Sequence, residues 1–124
     1  MSNVPENLKY SKSHEWAKLS GNKAQIGITD HAQHELTDIV FVELPPVGKQ
    51  VNAGQIATVI ESVKVAADIY APLTGKVSAV NKKLEANPGL INSDPYGEGW
   101  IFELETLDKG TGLMDANSYR SLIG

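Results

Sequence analysis

Short apolar stretches alternate with glycine, proline and polar turns along most of the chain. Strands of an all-β sandwich or barrel recur about every 8–12 residues, and these stretches follow that spacing. A tight polar turn over residues 20–23 joins the first two stretches into a predicted β-hairpin. The pattern therefore predicts a mainly β fold with strands at residues 16–19, 24–28, 39–44, 55–60, 65–70, 76–80 and 100–104.

Two capping signals predict helices outside these strands. Thr29 or Asp30 can cap a short helix that ends at Leu36. Near the end of the chain, Asp115 precedes a polar stretch that closes on apolar residues, which indicates a final helix. No linker-like composition divides the chain, so we expect a single domain over residues 1–124.

The segments on either side of the two central strands resemble each other. Residues 46–51 and 72–77 both contain a proline-started turn, then a glycine, a lysine and a valine that enters a strand. Two such halves around a hairpin predict a quasi-symmetric sandwich, with the hairpin of residues 55–70 exposed at one end.

Composition limits the functions that this chain can have. Of its 124 residues, 41% are hydrophobic and 21% are charged, as in a folded domain rather than a disordered chain. Eleven basic and fifteen acidic side chains give a net charge of −4, which argues against nonspecific binding to nucleic acid or anionic membranes. The lack of cysteine excludes disulfides, thiolate zinc sites, iron–sulfur clusters and a cysteine nucleophile.

The pattern also bears on where the protein resides. No apolar run approaches the ~20 residues needed to cross a bilayer. Residues 1–6 carry neither the basic nor the apolar region of a secretory signal. Together with the lack of cysteine, these features predict a cytoplasmic location and no membrane partner.

The three histidines match no common metal or catalytic motif. His31 and His34 are spaced as a pair on one helix face, with Glu35 beside them, but their order differs from the zinc-binding His-Glu-x-x-His. His14 is the only other imidazole, and no nucleophile elbow accompanies it. We therefore predict no metal site and no catalytic triad.

A lysine stands between the two central strand predictions. Lys64 falls at the tight turn between residues 55–60 and 65–70, with Val63 and Val65 on either side. An exposed lysine most often only keeps a turn soluble. The two valines favour another interpretation, because exposed apolar side chains are costly unless a partner covers them. A lysine on a rigid projection is what an enzyme that modifies a single lysine requires.

The sequence around this lysine carries a family resemblance. Glu61-Ser62-Val63-Lys64, followed by residues 66–72, closely resembles the lipoyl-lysine hairpin of the glycine cleavage system H protein family. Ordered similarity extends from about residue 8 to about residue 105. It includes Lys9-Tyr10 and residues 13–16, 27–33, 40–45, 88–92 and 94–100.

The resemblance implies a particular β architecture. This is the lipoyl/biotinyl-type barrel-sandwich hybrid, with an added N-terminal hairpin, a short helix and a C-terminal helix. The hairpin core is expected over about residues 39–105 and the helical tail over about residues 113–123. That architecture agrees with the mainly β pattern of the chain.

The resemblance also implies that Lys64 carries lipoate in amide linkage. Glu61, Ser62, Val63 and Val65 are then the residues by which the lipoyl-attaching enzymes recognise the hairpin. An unmodified lysine, with a pKa of about 10.4, is cationic and strongly hydrated. Acylation removes that charge and adds a flexible arm that ends in a dithiolane, so a chain without cysteine can take part in sulfur chemistry.

Three partners follow from the resemblance. A pyridoxal-phosphate glycine decarboxylase (the P protein) places an aminomethyl group on the arm. An aminomethyltransferase (the T protein) passes the carbon to tetrahydrofolate, and a dihydrolipoamide dehydrogenase (the L protein) reoxidises the dithiol. The chain itself is expected to be a carrier and not an enzyme.

The same family places Ser13, Glu15 and Asp68 at the edge of a cleft that receives the loaded arm. A protonated amine favours carboxylates and a hydroxyl acceptor, and partial exclusion of water slows its loss. The alternative is that Glu15 and Asp68 are ordinary surface carboxylates, worth less than about 1 kcal/mol in any pairing. Val65 and Ala67 depart from the alanine and the polar residue expected at those positions.

Other functions stay open at this point. A biotin carrier shares the hairpin but resembles Met-Lys-Met at its tip, and lipoyl domains of 2-oxoacid dehydrogenases resemble Asp-Lys-Ala. A small lipoyl donor or relay protein and an unmodified interaction domain are further alternatives. The intact mass of the chain after expression with lipoate separates modified from unmodified proteins.

Overall fold

The computed structural model describes residues 2–124 and shows a mainly β chain with short helices at its edges. Within that range the strands are β1 (Lys9–Tyr10), β2 (Glu15–Ser20), β3 (Lys23–Ile28), β4 (Ile39–Glu43), β5 (Gln50–Val51), β6 (Ile56–Ser62), β7 (Ala66–Tyr70), β8 (Gly75–Val80) and β9 (Phe102–Glu105). The helices are α1 (Asp30–Leu36), α2 (Lys83–Ala86), α3 (Leu90–Ser93) and α4 (Ala116–Ile123).

The strands form two antiparallel sheets. The larger has the order β1-β2-β3-β9-β8-β5, and the smaller has the order β4-β6-β7. Neither sheet closes on itself, as expected of a barrel-sandwich hybrid. The predicted mainly β fold is confirmed, with its N-terminal hairpin, short helix and C-terminal helix.

The N-terminal hairpin consists of β2 and β3. Ser20 pairs with Lys23, so Gly21 and Asn22 form a two-residue turn, and Gly21 takes the left-handed φ of 62° that such turns require. Trp16 pairs with Gly27 near the end of the hairpin that is opposite the turn, and its side chain is fully buried.

The two similar segments around the central hairpin are hydrogen-bonded to each other. The Gly48 N–H donates to the Val77 carbonyl at 2.8 Å, and the Val77 N–H donates to the Lys49 carbonyl at 2.9 Å. They enter β5 and β8, which pair at Gln50 and Lys76 in the larger sheet. The hairpin β6–β7 between them belongs to the smaller sheet and projects from this base.

The buried residues form two clusters. The larger fills the space between the two sheets and includes Ile60 and Ile69 of the central hairpin. The smaller lies beneath α4 and contains Val4, Leu8, Tyr10, Trp16, Ala116 and Tyr119. Helix α4 therefore closes a separate apolar cluster at the N-terminal end of the fold.

Both predicted helix caps are present. Thr29, rather than Asp30, is the cap of α1, and its Oγ1 accepts a hydrogen bond from the Ala32 N–H at 3.1 Å. Asp115 caps α4 by accepting from the Ser118 N–H at 2.8 Å. Capping side chains satisfy N–H groups that have no partner in the first turn.

Candidate functional site

Lys64 lies at the exposed tip between β6 and β7. The Ser62 N–H donates to the Val65 carbonyl at 2.8 Å, which closes the turn. The Ser62 hydroxyl oxygen accepts from the backbone N–H groups of Lys64 and Val65, each at 3.2 Å. One serine side chain therefore satisfies the backbone donors of the tip and holds the turn without restraining the lysine side chain.

The tip is also braced from the neighbouring strand. The Val63 N–H donates to the Asp38 carbonyl at 3.0 Å, just before β4 begins. Ser62 pairs with Ile39 at the first position of β4. These contacts fix the direction of the tip relative to the smaller sheet, so Lys64 is presented on a rigid base.

The tip carries exposed apolar side chains on both sides of the lysine. Val63 is 65% exposed and Val65 is 47% exposed. Phe41, which is 51% exposed, faces Glu61 across β4 and β6. Glu61 is exposed as well, and so is Asp38, whose carbonyl braces the tip, so the surface around Lys64 combines apolar groups with carboxylates. Such a surface suits contact with a partner protein.

A second group of polar residues lies in the loop of residues 11–15, which leads from β1 into β2. The hydroxyls of Ser11 and Ser13 each donate to Glu15 Oε1 at 2.6 Å. The Ser11 N–H donates to the Glu15 carbonyl at 2.9 Å, and the Glu15 N–H donates to the Ser11 hydroxyl at 3.0 Å. The loop is thus folded around the Glu15 carboxylate.

Glu15 connects this loop to the strand that leaves the tip. Its side chain is fully buried, and its Oε2 accepts from the Tyr70 N–H at 3.3 Å, at the end of β7. Burial raises the pKa of the Glu15 carboxyl above its usual value, while the hydrogen bonds from Ser11, Ser13 and Tyr70 oppose the rise. The interpretation of Glu15 as an ordinary surface carboxylate is therefore wrong.

The three residues predicted for the arm cleft are placed differently. Ser13 and Glu15 are in direct contact. Asp68 is exposed on β7 and lies two residues before Tyr70, whose N–H donates to Glu15. Within residues 2–124, Asp68 makes no hydrogen bond to Ser13 or Glu15, so the structure brings together two of the three residues, around a buried carboxylate that Ser11, Ser13 and Tyr70 hold.

Two residues of this region were not predicted from the sequence. Ser11 shares Glu15 Oε1 with Ser13, and the Ser-x-Ser-x-Glu spacing of the loop is the local signal for it. The contact of Tyr70 with Glu15 is made by its backbone N–H. No side-chain pattern in the sequence indicates such a contact.

The histidines and their acidic neighbours form separate pairs. His31 lies 3.5 Å from Glu35, and His34 lies 3.5 Å from Asp30, each within α1. His14 faces His31 with 4.9 Å between the ring centroids. Among residues 2–124, no three His, Asp or Glu side chains are grouped so that they could hold a metal ion. In the same range, no helix has the length and apolar character needed to span a membrane.

Comparisons with known proteins show which family the chain resembles. A profile of the family described as "Glycine cleavage H-protein" matches residues 8–124. The glycine cleavage system H protein of Aeromonas hydrophila is 52% identical, over 99% of this chain and 98% of its own length. That of Endomicrobium trichonymphae is also 52% identical, over 98% and 99%.

A solved structure supports the same relationship. The crystal structure of a glycine cleavage system H protein from Mycobacterium marinum superposes with a TM-score of 0.91 at 34% identity, covering 98% of this chain and 99% of that one. Sequence and fold agree over nearly the whole length. The chain therefore belongs to the glycine cleavage H-protein family.

Proposed function

We propose that this chain is a lipoyl-lysine swinging-arm carrier of the glycine cleavage system, with lipoate in amide linkage to Lys64. It carries the aminomethyl group of glycine from the pyridoxal-phosphate glycine decarboxylase to the aminomethyltransferase. Dihydrolipoamide dehydrogenase then reoxidises the arm, and the chain itself performs no bond-making step. The observation that carries this proposal is the exposed Lys64 on a braced hairpin tip, in a member of the H-protein family.

The tip fits covalent attachment of an arm. Among residues 2–124, no carboxylate lies within salt-bridge distance of the Lys64 amine, so acylation breaks no ion pair. The hydrogen bonds of the tip to Ser62 are made by backbone N–H groups and not by the lysine amine, so acylation of the amine removes none of them. When bound, lipoate supplies the sulfur atoms that a chain without cysteine lacks.

Recognition by the lipoyl-attaching enzymes is assigned to four residues of the tip. Val63 and Val65 offer apolar contacts on both sides of the lysine, and Ser62 fixes the turn. Glu61 adds a negative charge three residues before Lys64, which can orient a basic surface of the enzyme. We further propose that residues 1–124 act as one carrier domain.

Ser13, Glu15 and Asp68 are assigned to the cleft that shelters the loaded arm. The buried Glu15 carboxylate and the exposed Asp68 carboxylate are acceptors for a protonated amine, and Ser13 helps to fix Glu15. Charge-assisted hydrogen bonds of this kind contribute about 1.5–3 kcal/mol each when well placed.

Attachment at Lys64 is tested with a lipoate ligase and lipoate. We expect a single addition to the intact mass, and peptide mapping should place it on Lys64. Lys64→Arg keeps the positive charge and should abolish the addition, whereas Lys49→Arg and Lys76→Arg should react as the parent does. An addition on Lys49 or Lys76 would contradict the assignment.

The cleft is tested separately on the lipoylated chain. Glu15→Gln combined with Asp68→Asn keeps the size of both side chains and removes both charges. We expect aminomethyl to be lost about tenfold faster or more, since ~1.4 kcal/mol is a factor of ten, while reduction and reoxidation of the arm stay unchanged. Mass spectrometry follows the loss over time, and equal lifetimes would show that these carboxylates do not shelter the arm.

A further inference from the structure

His14, between the two cleft residues of the loop, has an unusual backbone conformation. Its φ is 75°, in the left-handed region that non-glycine residues rarely adopt. Ser13 and Glu15 flank it directly, so the conformation of His14 sets the direction of both side chains. The left-handed region costs a non-glycine residue free energy, so the contacts around His14 must compensate for that cost.

His14 is held by its side chain through the C-terminal helix and by its backbone through two other parts of the chain. His14 Nδ1 lies 2.8 Å from the Tyr119 hydroxyl of α4. The same hydroxyl lies 2.7 Å from Thr29 Oγ1, the cap of α1. The backbone is held as well, because the Thr29 N–H donates to the His14 carbonyl at 3.0 Å and the His14 N–H donates to the Ser11 carbonyl at 3.2 Å.

These hydrogen bonds are complete when His14 is neutral. In the neutral form, Tyr119 can donate to His14 Nδ1 while Thr29 Oγ1 donates to the Tyr119 oxygen and accepts from the Ala32 N–H, so each contact has one donor and one acceptor. The lowered pKa of His14, caused chiefly by burial and next by the neighbouring His31, favours that neutral form. Glu35 opposes this shift from α1.

Tyr119 is itself fixed independently of the loop. Its side chain is fully buried, and its ring stacks on Tyr10 with 4.7 Å between the centroids and 10° between the planes. Arg120, the next residue, donates to the Val4 carbonyl at 3.0 Å and pairs with Glu6 at 2.7 Å. The hydroxyl of Tyr119 is therefore presented by a rigid element to a loop that needs support.

We propose that Tyr119 is a positioning residue for the arm cleft: by holding His14 in its left-handed conformation, it keeps Ser13 and Glu15 in contact. The C-terminal helix thereby controls the shape of a site to which it contributes no contacting group. This inference rests on the proposed function, because it assigns a support to the cleft proposed above.

The experiment uses three variants of the full chain. Tyr119→Phe removes the hydroxyl and keeps the ring that stacks on Tyr10. Tyr96→Phe is the matched control, because Tyr96 is also partly buried and its hydroxyl donates to the Asn3 carbonyl and accepts from the Asp30 N–H, with no hydrogen bond to residues 11–15 among the described residues. His14→Gly combined with Tyr119→Phe tests rescue, since glycine adopts a positive φ without support.

The first measurement is the pKa of the Glu15 carboxyl, followed by carbon NMR in the unlipoylated protein. Tyr119→Phe should raise it, because the donor Ser13 is lost when the loop relaxes, whereas Tyr96→Phe should leave it unchanged. Adding His14→Gly to Tyr119→Phe should restore the Glu15 pKa towards the parent value. A Tyr119→Phe protein that only melts earlier, with an unchanged Glu15 pKa, would show that Tyr119 merely stabilises the fold and would overturn the proposal.

The second measurement is the lifetime of the carried aminomethyl group on the lipoylated protein. Tyr119→Phe should shorten it by about fivefold, the factor expected for one neutral hydrogen bond, and the glycine substitution should lengthen it again. Unchanged lifetimes in Tyr119→Phe, when Glu15→Gln with Asp68→Asn shortens them, would overturn the positioning role alone. The lifetime could also stay unchanged in both Tyr119→Phe and the Glu15→Gln, Asp68→Asn variant, while the pKa of Glu15 shifts in Tyr119→Phe. That result would overturn the proposed cleft but would still support the role of Tyr119 in positioning Glu15.

Discussion

The hairpin tip and the loop of residues 11–15 lie at opposite ends of β7, and they are held in opposite ways. At the tip, Ser62 bonds to the backbone of its own turn, and the side chains of Val63 and Lys64 are exposed. At the other end, two serine hydroxyls converge on the buried carboxylate of Glu15, which also accepts from the Tyr70 N–H. The tip is held by its own turn and by the Asp38 carbonyl just before β4, whereas the Glu15 carboxylate also depends on a residue 55 positions away in the chain.

This difference matches the demands that the proposed function makes on each region. A lysine that several enzymes must reach has to project from the fold, so its support comes from the turn and from the start of β4 beneath it. A cleft that receives the arm needs fixed polar groups, because a misplaced acceptor binds a cation poorly. Strand β7 connects the two, with about 13 Å between its first and last residues at ~3.3 Å per residue.

The largest expected contrast is in stability. Glu15→Ala leaves the hydroxyls of Ser11 and Ser13 and the Tyr70 N–H without their buried acceptor, and we expect it to lower the free energy of unfolding by about 2–4 kcal/mol. Glu61→Ala, on the exposed surface of the tip, should change it by less than about 0.5 kcal/mol. Urea unfolding of both variants measures the contrast, and equal losses would show that the two regions are not supported differently.

The same contrast explains how far the sequence predicts this protein. The hairpin β2–β3, the central strands and α4 follow from local alternation and from the cap at Asp115. Strands β1 and β5 have two residues each and exist only through pairing with β2 and β8, so no local pattern indicates them. The four-residue helices α2 and α3 are likewise too short to produce a periodic pattern.

The candidate site likewise has one part that local sequence predicts and one part that it does not. Lys64 could be placed from the sequence, because a turn between two strand-like stretches is a local signal. The contact between Glu15 and Tyr70 joins residues 55 apart in the chain, and that between His14 and Tyr119 joins residues 105 apart. The burial of Glu15 and the backbone conformation of His14 depend on these long-range contacts, so they emerge only in the folded structure.

A smaller effect is expected from Ser62→Ala at the tip. The substitution removes the acceptor for the N–H groups of Lys64 and Val65, but both can turn to water. We expect a loss of about 0.5–1 kcal/mol in the free energy of unfolding and faster amide hydrogen exchange confined to residues 63–65. Faster exchange that also reached residues 11–15 would contradict the local support of the tip.

Lowering the pH should change the stability of the fold in opposite directions through the two titrating groups of the loop, His14 and Glu15. The pKa of His14 is lowered from its usual 6.5, so below that pH the unfolded chain binds the proton more readily and stability falls. The pKa of Glu15 is raised from its usual 4.5, so its contribution rises as the pH falls towards that value. Between pH 7.5 and 5.5, His14→Asn, which tolerates the left-handed backbone, should therefore lose less stability than the parent.

A histidine variant outside the loop is the control for His14→Asn. His34→Asn removes an imidazole that is mostly exposed on α1 and lies 3.5 Å from Asp30. Urea unfolding at both pH values should show that His34→Asn loses as much stability as the parent protein. If His14→Asn lost as much stability as the parent, the neutral form of His14 would not contribute to the fold.

The smallest effect on the fold, and a specific effect on modification, is expected from Glu61→Gln. The side chain is exposed and faces Phe41 across the sheet, so loss of its charge leaves no buried group without a partner, and the thermal transition should stay nearly unchanged. A charge at the edge of an interface acts mainly on the rate of association, so we expect lipoylation of Lys64 to slow by about threefold to tenfold at low salt. The difference should shrink as the ionic strength rises, because salt screens exposed charges beyond ~10 Å at 0.1 M.

Glu105→Gln, an exposed carboxylate on β9 of the other sheet, is the matched control and should be lipoylated at the parent rate. An equal slowing in both variants would mean that the net charge of the chain, and not the position of Glu61 at the tip, attracts the enzyme.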